Sequence, residues 1–182
     1  IIKWTEIKIE FKEQYLKQLT DLGYSLDENL CIINFRGGEY KTVNNLICRR
    51  EYWRDSINKM LEINSNMKFL VISDDPDCAK HYMPFDIQCL HISIGFDYYC
   101  INQAKYVILS NSSFGLWAGY LNTKAKKIIA PKYWSQHNTS WGYFGIGDQY
   151  YTVFEYMNRE GVLETYTSVK QQAEEFYKIN NL

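Results

Sequence analysis

The chain has 182 residues, of which 46% are hydrophobic and 23% charged, and its formal net charge is −1. That length and mix suit one globular domain with its own core, and they exclude a disordered, collagenous or disulfide-scaffold chain. A net charge near zero supplies no basic field for nucleic acid, and no uncharged apolar run is long enough to span a bilayer. The five cysteines, Cys31, Cys48, Cys78, Cys89 and Cys100, form no CxxC pair and read as free thiols of a reducing compartment. The start, Ile1-Ile2-Lys3-Trp4, lacks the basic end and apolar core of a signal peptide. With Ile at residue 1, the chain reads as a piece of a longer protein.

Taken in chain order, Ile9, Leu16, Leu19 and neighbouring aromatics predict an amphipathic helix over residues 8–23, ending at Gly23. Residues 30–35 (LCIINF) read as a buried strand that runs into the turn Arg36-Gly37-Gly38. A helix follows over 51–63, with Trp53, Ile57, Met60 and Leu61 toward the core. Residues 68–73 (KFLVIS) read as a second buried strand, ended by Asp74-Asp75-Pro76. A strand over 89–93, a helix over 96–103 and a strand over 106–110 come next, and a helix begins near Ser112. Residues 127–130 form a short strand closed by Pro131, and a closing helix over 167–179 follows a long loop rich in glycine and aromatics.

Apolar strands alternating with helices predict an α/β fold, a Rossmann-like parallel sheet with helices on both faces. In such folds ligands sit beyond the carboxyl ends of the strands, where strand order reverses. That rule directs attention to Arg36-Gly37-Gly38-Glu39, Ser73-Asp74-Asp75 and Ser110-Asn111-Ser112-Ser113. Arg36 can grip a diphosphate through two charged hydrogen bonds, and the glycines beside it admit a close ligand. The competing reading is a turn in which Arg36 is spent on a salt bridge. Ser112 and Ser113 suit a helix cap, and the same helix start favours a phosphate. No GxGxxG and no Walker lysine is present, which argues against nicotinamide and P-loop sites.

Asp74-Asp75 reads as a turn or helix cap rather than a metal site, and Asp75-Pro76-Asp77 is too short a match to argue for metal. His81, His91 and His137 show no ligand spacing and read as surface or core residues. The aromatics Trp134, Trp141, Tyr143, Phe144, Tyr150 and Tyr151 could stack on a sugar or base, or simply pack a loop.

The order of these blocks resembles family 11 glycosyltransferases, the α-1,2-fucosyltransferases. Ile33-Asn34-Phe35-Arg36-Gly37-Gly38-Glu39-Tyr40 looks like the family's HxRRGDY block. Phe69-Leu70-Val71-Ile72-Ser73-Asp74-Asp75 with Cys78 looks like its second block. Asp97, followed by Ser110-Asn111-Ser112-Ser113-Phe114-Gly115-Leu116-Trp117, looks like its SNSSFSWW block, and Ile128-Ile129-Ala130-Pro131-Lys132-Tyr133-Trp134 resembles its IAPKKW tail. The resemblance covers roughly residues 30–135. Its third block is specific; the first would be weak by itself.

The resemblance implies the C-terminal, nucleotide-sugar-binding half of a GT-B type enzyme, with residues 1–182 as one donor-binding domain. An N-terminal domain outside this chain would supply most of the acceptor site. It implies inverting transfer of fucose from GDP-fucose to an oligosaccharide acceptor of a bacterial surface glycan, with no metal and no other cofactor. Such work belongs in the cytoplasm or peripherally at the inner membrane face. Arg36 would neutralise the leaving diphosphate. Ser112, Ser113 and the N–H of Phe114 would cradle the phosphates, Asp97 would accept from the guanine edge, and Asn34 would touch base or ribose. Glu39 would help activate the acceptor hydroxyl or hold the sugar, against the alternative of an ion pair with Arg36. Three positions depart from the first block: its His is Asn34, its second Arg is Gly37 and its Asp is Glu39. These departures leave open a different donor sugar or nucleotide. A non-catalytic nucleotide- or glycan-binding module is the rival from another class, and it predicts binding without transfer.

Overall fold

The computed structural model describes residues 7–43, 46–138 and 151–181. Six strands run parallel: β1 (Leu30–Phe35), β2 (Lys68–Ser73), β3 (Cys89–Leu90), β4 (Tyr106–Ile108), β5 (Lys127–Pro131) and β6 (Glu155–Met157). β7 (Leu163–Glu164) closes the edge antiparallel to β6. The order across the sheet is β3-β2-β1-β4-β5-β6-β7. The helices are α1 (Ile9–Asp21), α2 (Arg50–Ile63), α3 (Pro76–Tyr82), α4 (Ile94–Gln103), α5 (Ser113–Tyr120) and α6 (Tyr166–Asn180), and a short 3-10 turn spans Gly38–Thr42.

Strand alternation divides the core between the two faces of the sheet. Leu30, Ile32, Leu70, Ile72 and Val107 face one way, against Leu19 of α1, Phe96 and Ile101 of α4, Ala118 of α5 and Val169 of α6. Cys31, Ile33, Phe35, Val71 and Ile108 face the other way, against Trp53, Ile57 and Met60 of α2 and Ala79 of α3. Every residue of β1 is therefore buried, as a central parallel strand requires. This is the doubly covered, mostly parallel sheet that the apolar strands predict.

β1 and β2 keep their predicted limits. β3 and β4 are shorter than expected. Ser93 turns the chain after β3 by accepting from Phe96 N at 3.1 Å as the cap of α4. Leu109 still bonds Ile129 across the sheet, and the chain then turns at Ser110 to cap α5. α3, β6 and β7 have no counterpart in the sequence reading. α3 follows Asp75, whose side chain accepts from Cys78 N at 3.1 Å, with Pro76 at the first helical position; the expected cap proves to start a helix. β6 and β7 are three and two residues long, too short for periodicity to register. α1 corrects another expectation. Leu19 is fully buried, but Ile9 is 71% and Leu16 47% exposed, because the helix meets α4 through Tyr15, whose ring contacts Phe96 and Tyr99.

All five cysteines are free thiols, as expected. Burial pushes the thiol of Cys48 up to about 12 and that of Cys89 up to about 11, which keeps them protonated and unreactive. Among the described residues no helix is long and apolar enough to cross a membrane.

Candidate active site

Strand order reverses between β1 and β4, so the chain leaves their carboxyl ends in opposite directions and opens a crevice. A cleft of about 140 Å³ lies there, and Asn34, Arg36, Asp74, His91, Asp97, Ser112 and Phe114 are among the residues that line it. Five of the seven expected site positions thus meet at one place, although they span some eighty residues of sequence. Ser113, the first residue of α5, is exposed beside the cleft, and Glu39 joins through Arg36.

Arg36 leaves β1 and is held by two carboxylates. Its Nη1 lies 2.8 Å from Asp74 Oδ2, and its Nη2 donates to both oxygens of Glu39 at 2.6 and 2.8 Å. Asp74 Oδ1 also accepts the Gly37 N–H at 2.9 Å, which ties the end of β2 to the loop after β1. Gly37 permits this approach, since a Cβ there would stand 2.7 Å from Asp75 Cβ. Asp75 in turn pairs with Lys41 at 2.7 Å. The hydrogen bond from Arg36 holds the Glu39 carboxyl below its usual range, and Glu39 raises the guanidinium further. Both readings of the sequence meet here. Arg36 stands at the carboxyl end of the strand, and it is engaged in a salt bridge with Glu39.

On the other side of the crevice, Ser112 caps α5 by accepting from Gly115 N at 3.4 Å. Asn34 is buried, and its Oδ1 accepts from Ser110 Oγ at 3.0 Å. Gly115 packs on this amide so closely that a Cβ would lie 2.7 Å from Asn34 Cγ and closer still to Oδ1. Asn34 thus sets how near α5 comes to β1. Ser112 at the start of α5 lines the cleft, and Phe114 forms an apolar wall, its ring edge-on to Tyr98.

Asp97 sits in the first turn of α4, only 5% exposed. Its Oδ2 accepts from His91 Nδ1 at 2.5 Å, and its Oδ1 has no hydrogen-bond partner. Burial pushes the Asp97 carboxyl up to about 6, against the opposing pull of His91 and the Ile92 amide. The sequence reading took His91 for a surface or core residue. It is a surface residue, as that reading allows, and it also lines the cleft and bonds a candidate ligand-binding carboxylate. Asp74 lies in the turn after β2, as expected, and from there it also pairs with Arg36. Asp74 was within reach of the strand-end rule, which directs attention to Ser73-Asp74-Asp75; His91 was not, because the expected strand over 89–93 covers it, whereas β3 ends at Leu90. The other two histidines fit the expectation: His81 is exposed and His137 is buried against Tyr52.

Among the described residues no group of three or more His, Cys, Asp or Glu is placed to hold a metal ion. Of the aromatic cluster, Tyr151 packs on Tyr120 and Phe154 with ring centroids 4.8 and 5.7 Å away. Trp141, Tyr143, Phe144 and Tyr150 lie outside the described residues.

Comparison with known proteins supplies a frame for this geometry. The family model described as glycosyl transferase family 11 matches residues 6–177. An alpha-1,2-colitosyltransferase of Escherichia coli is 29% identical over 152 aligned residues, covering 69% of this chain and 51% of that protein. The chain therefore spans about half the length of the curated relative it matches. No solved structure matches it.

Proposed function

The chain belongs to glycosyl transferase family 11, and on that premise we propose that it is the donor-binding half of a GT-B type, metal-independent, inverting transferase. It moves fucose from GDP-fucose to a sugar hydroxyl of a bacterial surface glycan, in the cytoplasm. The observation that carries this reading is the meeting of Arg36, the start of α5 and Asp97 around one cleft at the strand-order reversal.

In this reading the diphosphate lies between Arg36 and the start of α5. Arg36 takes up charge on the leaving oxygen, and the α5 N–H groups with the Ser112 and Ser113 hydroxyls hold the other phosphate oxygens. Asp97 meets the base and Asn34 the ribose side of the cleft. The diphosphate must displace a carboxylate from Arg36. Asp74 is tied to Gly37 N–H as well as to Arg36, whereas the Glu39 side chain is 64% exposed. Glu39 is therefore the partner that yields, and once released it is free to act on the acceptor hydroxyl as a general base. The acceptor is bound with a further domain of the enzyme.

A second reading keeps the reaction and changes the sugar. The name of the Escherichia coli relative favours colitose as the transferred group. Calorimetric titration of the chain with a panel of nucleotides and nucleotide-sugars tests both. Selective binding of GDP and GDP-fucose, weakened about tenfold (about 1.4 kcal/mol) or more by Arg36→Ala, is the expected result. Preference for a different nucleotide would refute the GDP donor. Preference for a GDP-linked sugar other than fucose would move the assignment to that sugar. Robust transfer by these 182 residues alone would refute the two-domain split. Binding without transfer, even in an enzyme complete with its acceptor domain, would support a binding module instead.

A further inference from the structure

A buried carboxylate oxygen without a donor is unfavourable, and native folds rarely keep one without a reason. Asp97 Oδ1 is such an oxygen, in a residue that lines the cleft, while Oδ2 is held by His91. The holding group is itself fixed. His91 lies on the short link between β3 and α4, and Ser93 on that link caps α4, so the imidazole is presented to the helix's first turn. An ionised carboxylate only accepts hydrogen bonds, so His91 Nδ1–H is the donor. The Ile92 amide also favours the charge of this carboxylate without closing a hydrogen bond on Oδ1; Asp74 disfavours it, Arg36 stands across the cleft, and the Cys100 thiol lies behind it.

We infer that His91 is a positioning residue. By binding Oδ2 it sets the orientation of the Asp97 carboxylate and leaves Oδ1 to accept from the N–H edge of the donor's base. This rests on the reading above that the ligand is a guanine nucleotide, whose base offers adjacent N–H donors. His91 acts on base recognition through Asp97 and leaves the diphosphate end of the cleft to Arg36 and α5. A purely structural staple between the β3–α4 link and α4 would instead affect every ligand alike.

The test uses the purified chain, with GDP and inorganic pyrophosphate as probes and thermal melts to check folding. His91→Leu should weaken GDP about tenfold, the loss of one hydrogen bond to a charged group, and leave pyrophosphate within about twofold. His91→Gln, which retains an N–H donor, should recover most of the GDP affinity. Adding His91→Leu to Asp97→Asn should cost nothing further. Equal losses for GDP and pyrophosphate, or additive losses in the double variant, would overturn the inference. A wild-type chain that binds pyrophosphate as tightly as GDP would instead remove the guanine reading beneath it. If His91→Leu does not fold, the pH profile of GDP binding by His91→Gln decides. Without the imidazole, Asp97 protonates at higher pH, so the acid loss of binding should move upward, and an unmoved midpoint would refute the role.

Discussion

Replacing Gly115 by alanine tests whether one side chain, Asn34, sets the separation of the two halves of the site. The new Cβ would stand 2.7 Å from Asn34 Cγ, in a region where both Asn34 and Ser112 are buried. Neither can move into solvent, so either α5 shifts outward or Asn34 rotates and loses its bond from Ser110, 3.0 Å long. Forced overpacking costs about 1–3 kcal/mol, and losing the buried hydrogen bond costs about 1 kcal/mol more. Alanine returns up to about 1 kcal/mol through helix propensity. The net loss is about 1–3 kcal/mol, and for a domain of this size each kcal/mol lowers Tm by about 2–4 °C. Denaturant melts would measure it, and calorimetry should show GDP binding falling further, because Ser112, Ser113 and Phe114 move with α5. Gly119→Ala is the control on the same helix. There a Cβ would meet Leu109 Cδ1 at 3.2 Å, the end of a flexible side chain, so it should be nearly neutral. Equal melts for Gly115→Ala and wild type, with unchanged binding, would refute the argument.

Three further outcomes follow from the same geometry. Glu39→Gln removes the carboxylate that competes for Arg36, so it should tighten pyrophosphate and GDP about threefold while lowering transfer in the complete enzyme; weaker binding would show that Glu39 supports the ligand instead. Lys132 is buried with its Nζ 2.6 Å from both Glu164 and Gln172, while the partly buried Glu164 keeps donors from Asn158, Ser168 and Gln172, so Lys132→Ala removes one charged hydrogen-bond partner and should cost about 2 kcal/mol in urea melts; a loss below about 0.5 kcal/mol would contradict that role. Acid stability has two opposing parts. Burial and the nearby Arg159 and Arg49 bring His137 down from 6.5 to about 3, so its unfolded form binds protons more readily and stability falls as pH drops from 6.5 toward 3. Asp97, raised from 3.8 to about 6, binds protons more readily when folded, so it adds stability below 3.8 that is lost as pH rises to about 6. Asp97→Asn removes this compensation and should make Tm fall more steeply between pH 6 and 4; an unchanged slope would refute the balance.

The layered plan is legible from residue patterning alone. β1 and the middle of β2 are almost wholly apolar, and a parallel sheet covered on both faces buries such runs, every residue in β1 and the last four in β2. Helices 51–63 and 96–103 were legible from apolar periodicity, and Arg36 and Ser112 from their places just after apolar strands. The short edge strands β6 and β7 were not, because three and two residues carry no period. Ile9 and Leu16 misled, because periodicity marks an apolar stripe without saying whether a partner covers it. Which residues meet at the cleft depends on how the sheet and helices assemble. That His91 and Asp97 share a hydrogen bond depends on how the β3–α4 link is capped, that Asp74 grips Arg36 on the register of β2 beside β1, and that Gly115 abuts Asn34 on the approach of α5 to β1. Sequence spacing carries the strands and caps because those are local. The site is a set of contacts between segments distant in the chain, and such contacts exist only once the sheet has brought the strand ends side by side.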